Sequence, residues 1–185
     1  DNQRNMLAGI SHDLKTPLTR INLMIEEMDN VDLQISISKN ISEMNLMLNH
    51  YLDFIKSEKN ENFDEIETQN FIKDLTFNYP KLNLTRNDSN IIIIRKNQIS
   101  RALVNIIDNA NKFAEKIYLS SNVSETKWVI TIEDDGPGTA LSQEELVKPF
   151  TKGSEQLNQG TGLGLSIVQK LIKLNNGELR FEDST

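Results

Sequence analysis

Two apolar stripes at helical spacing do most to limit what this chain can fold into. In the first, Leu7, Ile10, Leu14, Pro17, Ile21, Met24 and Met28 recur in alternating steps of three and four, the period of a helix with one buried face. In the second, Ile37, Ile41, Met44, Leu48, Tyr51 and Ile55 follow steps of four and three. Asp29-Asn30-Val31-Asp32 supplies turn residues between them, so the spacing predicts an antiparallel helical hairpin. Pro17 lacks a backbone donor and should bend the first helix, which runs from Asn5 to about Met28. Each stripe is wider than one partner helix can cover, and a lone hairpin encloses no core of its own. Pairing two hairpins into a four-helix bundle solves both problems, which implies a homodimer.

His12 and Asp13 fall off the first stripe, and Thr16 stands one turn beyond His12 on the same face. A histidine serving the core would sit on the apolar side. This one projects to solvent beside a carboxylate, the arrangement in which a base holds one ring proton and leaves the other nitrogen nucleophilic.

From Lys56 to Glu67 the chain turns polar and acidic and loses its period, which places a domain boundary there, dividing 1–60 from 61–185. With 185 residues, 37% of them hydrophobic, both parts can bury cores. A net charge of −7 without any basic run argues against a nucleic-acid partner. The absence of cysteine excludes disulfides and thiolate metal sites. Ile91 to Ile94 is the longest aliphatic run, far short of the roughly 20 residues that span a bilayer. No membrane contact is therefore expected from this stretch of chain itself. Its opening, Asp1-Asn2-Gln3-Arg4, leads straight into helix and reads as a portion of something longer.

Beyond the boundary, strand-like and helix-like segments alternate. Helices are expected near Gln69 to Phe77, from about Gln98 to Ala114 and from about Leu163 to Leu174. Strands are expected around Lys81 to Thr85, Asn90 to Ile94, Ile117 to Val123, Trp128 to Glu133 and Glu178 to Phe181. That order predicts a mixed sheet covered by helices, an α/β sandwich.

On the long helix, Leu103, Ile106, Ile107, Ala110 and Phe113 form a face to pack on the sheet, while Arg101, Asn105, Asn109 and Lys112 form a second row. Asparagine is a mediocre helix former, so two amides flanked by two cations point to a ligand. An amide oxygen suits a hard cation such as Mg²⁺, and a lysine one turn on can meet phosphate. Further along, a strand ends in Asp134-Asp135-Gly136-Pro137-Gly138, where a carboxylate can accept from an exocyclic amine and glycine leaves room for a ring. Gly160-Thr161-Gly162-Leu163-Gly164 then runs into a helix, whose first amides suit an anion. This triplet matches neither the dinucleotide-binding nor the P-loop spacing.

Taken together, these motifs resemble the catalytic core of bacterial two-component sensor histidine kinases over nearly the whole chain. Ser11 to Pro17 is similar to the family's H-box, Asn105 to Phe113 to its N-box, and Asp134 to Gly138 to its first glycine box. Pro149-Phe150 resembles its F-box and Gly160 to Gly164 its second glycine box; the wording through Leu18-Thr19-Arg20-Ile21 is nearest the osmosensor type. The resemblance implies an α + α/β protein: a hairpin forming a dimeric four-helix bundle, then an α/β sandwich of the Bergerat ATP-binding type.

It also implies roles. His12 would be the phosphoacceptor, Asp13 its base, and Thr16 the residue that orients water for dephosphorylating a partner. Asn109 would ligate Mg²⁺, Lys112 would contact phosphate and Asp134 would read adenine. The other nucleotide contacts would come from Asn105, Phe113, Gly136, Gly138, Lys152, Gly160, Thr161, Gly162, Leu163 and Gly164. ATP with Mg²⁺ is then the expected ligand and a response-regulator receiver domain the expected partner. The implied setting is the cytoplasmic portion of a membrane-anchored sensor. Val147, Phe113 and Thr139 depart from the family pattern, where Phe, Tyr and an aliphatic residue are usual. Two rival classes are an ATP-driven Bergerat-fold protein, which has no use for the His-Asp-x-x-Thr helix, and a catalytically impaired dimeric scaffold.

Overall fold

The computed structural model describes residues 18–21, 23–25, 30–56, 61–125, 127–151 and 162–182. His12, Asp13, Thr16, Lys152, Gly160 and Thr161 lie outside the described residues, as does the bend expected at Pro17.

Residues 18–21 and 23–25 are helical, and the second helix, α1, spans Val31–Lys56. It begins earlier than its apolar stripe. Asn30 Oδ1 accepts from Leu33 N at 3.0 Å, so Asn30 caps the helix and Val31 and Asp32 form its first turn instead of belonging to the loop. Asp32 then lies at the positive end of the helix dipole. Leu18, Ile25, Ile37 and Ile41 pack together between the two helical pieces.

The second half contains β1 (Asp64–Glu67), α2 (Thr68–Thr76), β2 (Leu82–Asn87), β3 (Ile91–Ile94) and α3 (Lys96–Phe113). It continues with β4 (Ile117–Val123), β5 (Trp128–Asp134), α4 (Gln143–Leu146) and α5 (Gly164–Leu174). The strands form two sheets. β2 runs parallel to β4, with an irregularity between Leu84 and Arg86, and β4 runs antiparallel to β5, giving the order β2-β4-β5. β1 and β3 make a separate antiparallel pair, Ile66 opposite Ile92. The expected strand at Glu178 to Phe181 is absent: residues 177–182 are irregular. In place of sheet pairing, the backbone oxygen of Phe181 accepts from Gln143 Nε2 on α4 at 2.7 Å.

α3 lies between sheet and α5 and therefore needs two apolar faces. Ile99, Leu103 and Ile107 join Leu119 in one cluster, with Trp128, Ile130 and Ile132 against it. Ala102 and Ile106 instead meet Leu163, Ile167, Val168 and Leu171. Ile106 thus serves the helix-on-helix contact and not the sheet. Phe113 joins neither face, for Ala114 takes the next place in the core beside Ala110 and Ile117, leaving Phe113 36% exposed at the helix end. Among the described residues no helix is long and apolar enough to cross a membrane.

Candidate functional site

The amide row of α3 and the start of α5 come together. A Cβ built on Gly164 would lie 3.4 Å from Asn105 Oδ1, 3.5 Å from Asn109 Nδ2 and 4.0 Å from Asn109 Oδ1. Asn105 spends its Nδ2 on the Arg101 carbonyl at 2.8 Å, which turns its oxygen toward that cradle. Leu163 is the N-cap of α5 and offers no side-chain cap, so the first-turn amides keep their electrostatic pull for an anion. Leu163 itself is 2% exposed and serves the core. With its side chain buried, it is the Leu163 backbone that stands at the start of α5.

A second convergence lies one turn farther along α3, at its C-terminal end. Asp134 closes β5 and its Oδ1 accepts from Gly136 N at 2.9 Å. A Cβ on Gly136 would come within 2.6 Å of that same oxygen and 3.6 Å of the Phe113 carbonyl. Asp134, Gly136 and the end of the N-box helix are thus one corner. Lys112 is exposed in the last helical turn. Gly138 has φ +65° and open space around it.

Asp135 was not among the residues singled out, yet it fixes this corner. Its Oδ1 accepts from Glu115 N at 2.8 Å and Lys116 N at 2.9 Å, tying the exit of α3 to the glycine turn. The Lys116 amide is the main reason its carboxyl sits below the usual 3.8; loss of hydration works against it, and the Glu115 amide adds to the lowering. A depressed folded value gives stability that is present above 3.8 and lost as pH falls through the depressed one. Asp135→Asn should therefore melt below the parent at neutral pH, and the gap should close as pH drops below 3.8. A gap that stays constant into acid would show that the carboxylate charge is not what holds the corner.

Gly162 faces a third neighbour. Its φ is +67°, and an added Cβ would lie 2.6 Å from the Phe150 carbonyl carbon and 2.7 Å from Thr151 O. Phe150, itself at φ 66°, donates its N–H to Gly162 O at 2.8 Å, joining the F-box to the second glycine box. The departures from the family pattern are absorbed locally. Thr139 Oγ1 accepts from Leu141 N at 3.2 Å, a turn bond that an aliphatic residue would not make. Val147 ends α4 as a half-buried C-cap.

The described residues hold no cluster of three His, Cys, Asp or Glu side chains fit for a metal. What they do offer a hard cation is the Asn105 and Asn109 amides around Gly164, a cradle that a side chain there would fill. That donor set fits Mg²⁺, which keeps most of its waters and takes few protein oxygens.

The family model described as histidine kinase-, DNA gyrase B- and HSP90-like ATPase matches residues 94–185, and the model of the His Kinase A (phospho-acceptor) domain matches residues 2–60. The chain is 27% identical to the sensor histidine kinase GtrS of Pseudomonas aeruginosa over 98% of its own length and 40% of that protein. It is 28% identical to the sensor histidine kinase CpxA of Escherichia coli over 98% of its length and 44% of CpxA. The chain thus spans less than half of these curated relatives. The histidine kinase AdeS of Acinetobacter baumannii is similar in structure, with a TM-score of 0.62 at 25% identity over 88% of this chain and 86% of that one.

Proposed function

This chain is the catalytic core of a two-component sensor histidine kinase, and we propose that it uses ATP to phosphorylate its own His12 and passes the phosphoryl group to an aspartate of a response regulator. The observation that carries the reading is the meeting of Asn105 and Asn109 with Gly164, more than fifty residues later, around a space that a single methyl would fill. Residues 1–60 would serve dimerisation and phosphotransfer, and residues 61–185 would bind the nucleotide. Exposed apolar side chains on the helical part support a homodimer: Leu23, Met24, Ile35 and Met44 are each more than half exposed, a pattern that a partner hairpin would cover. In the whole protein, this would be the cytoplasmic portion of a membrane-anchored sensor.

In this mechanism Asp13 hydrogen-bonds one nitrogen of His12 and holds its proton, leaving the other nitrogen to attack. That nitrogen forms a bond to the γ-phosphorus as the bond to the bridging oxygen of ADP breaks. The protein's work is mainly position and charge neutralisation. The first-turn amides of α5 and Lys112 face phosphate, the Asp134 carboxylate accepts from the adenine amine, and Asn109 offers its amide oxygen to Mg²⁺. When bound, that ion would offset the charge of the phosphates.

The reverse flow, dephosphorylation of the regulator, would rest on Thr16, four residues after His12 in the sequence, whose hydroxyl would orient a water toward a docked phospho-aspartate. Labelled chain incubated with a cognate receiver domain tests the forward reading, since the label should move to the receiver. Thr16→Ala tests the reverse one. Autophosphorylation should continue at the parent rate, while receiver dephosphorylation slows by about an order of magnitude or more. Equal loss of both activities would point to a disturbed helix, and equal retention would make the threonine structural.

A further inference from the structure

α3 has a cap that comes from far away in sequence. Its own N-cap residue, Arg95, gives no side-chain cap to the helix; instead Glu61 Oε1 accepts from Asn97 N at 2.6 Å and Oε2 from Gln98 N at 3.1 Å. A carboxylate therefore sits on the positive end of that helix. The Arg95 guanidinium spans the gap in the opposite sense, donating Nε to Glu61 O at 3.0 Å and Nη1 to the carbonyl of Leu174, the last residue of α5. A cation thus sits on the negative end of α5. The guanidinium also stands 4.0 Å over the ring of Phe63. Asn175 closes the cluster, accepting from Arg95 N at 2.9 Å and donating to Gln98 Oε1 at 3.0 Å.

This cluster is not what keeps α3 on α5. The buried contact of Ala102 and Ile106 with Leu163, Ile167, Val168 and Leu171 already does that. Among the described residues, what the cluster adds is a hold on the segment at Glu61 to Phe63, where Phe63 is 48% exposed and takes no place in a core cluster. The two helices it grips carry Asn105 and Asn109 on one and begin at Gly164 on the other.

Resting on the reading of His12 as phosphoacceptor, we propose that Glu61 and Arg95 are positioning residues for autophosphorylation: they fix the segment at Glu61 to Phe63 onto the two helices that carry the phosphate-side groups, so that this segment and the nucleotide cradle move as one body. A loose segment would leave nucleotide affinity alone and lower the fraction of time the γ-phosphate spends in line with His12.

The test compares the parent with Arg95→Ala, Arg95→Lys and Glu61→Gln. The expected result is a kcat for autophosphorylation at saturating ATP lower by about tenfold or more in Arg95→Ala, with KM for ATP and the Kd of a non-hydrolysable ATP analogue within about twofold of the parent. Arg95→Lys should fall between, because an ammonium lacks the planar fork that meets two carbonyls and a ring together. Glu61→Gln loses the charge on the helix end and should also show the kcat effect. An unchanged kcat overturns the proposal, and so does a parallel loss of kcat, analogue affinity and melting temperature, which would make the cluster merely structural. A parent chain that binds the analogue but never takes up label on His12 sinks the functional reading, and the positioning role with it.

Discussion

Incubated with γ-labelled ATP and Mg²⁺, the parent chain is expected to take up phosphate that survives alkali and is lost in acid, and His12→Ala is expected to take up none. The stability pattern follows from the bond. A phosphoramidate nitrogen is readily protonated and then leaves, whereas a phosphoserine or phosphothreonine ester resists acid. The complete loss follows from the chemistry's needing one nucleophile, with no second group in Ser11 to Pro17 able to replace an imidazole nitrogen. The chain's other histidine, His50, lies on α1 outside any motif, and His50→Ala should label as the parent does. Binding of ATP should persist in His12→Ala, because the Asn105, Asn109 and Gly164 cradle is built from α3 and α5 alone. Label that remains in His12→Ala, or that resists acid, would overturn the assignment.

The parts legible in the sequence share a physical cause: a periodic pattern that burial enforces. α3 and α5 each press a stripe into a core, and β4 sends Ile117, Leu119 and Ser121 inward at every second residue. β1 carries no such pattern, since Asp-Glu-Ile-Glu offers one apolar residue and forms a strand only because β3 pairs with it. α4 was not expected from the sequence: its capping box, in which Ser142 Oγ accepts from Glu145 N and the Glu145 carboxylate accepts in return, precedes only four helical residues, too few to show a period. Glu178 to Phe181 alternates as a strand would, but alternation does not supply a neighbour to pair with. Within the site, Asn105 and Asn109 of the amide row both lie near Gly164. The role of Ala114 in place of Phe113 depended on where that helix ends, and helix ends are set by tertiary contacts more than by propensity. Glu61, Arg95, Asp135 and Phe150 act through backbone groups distant in sequence, and no spacing rule announces such partners.

Among the glycines, Gly162→Ala should lose ATP affinity on the order of a hundredfold, while Gly138→Ala should stay within about threefold, although both residues have nearly the same backbone conformation, φ +67° and +65°. An alanine in that left-handed region costs about 1–2 kcal/mol by itself, so conformation alone predicts similar, modest effects. The surroundings separate them. A Cβ at Gly138 meets nothing within 4 Å, whereas one at Gly162 would lie 2.6 Å from a carbonyl carbon and 2.9 Å from a Cα of Phe150, well inside the ~3.5 Å at which carbon atoms touch. Backbone atoms cannot swing aside as a side-chain tip can. Either the Phe150–Thr151 segment or the start of α5 must move, and the second carries Gly164 away from Asn105 and Asn109. The apolar residues that anchor α5, Ile167, Val168 and Leu171, lie farther along the helix, so Gly162→Ala should still fold and melt within a few degrees of the parent, roughly the shift that 1–2 kcal/mol gives a domain of this size. Calorimetric titration of both variants with ATP and Mg²⁺, beside thermal melts, reads the difference. Equal affinities would mean that the Phe150 to Gly162 contact has no part in holding the nucleotide.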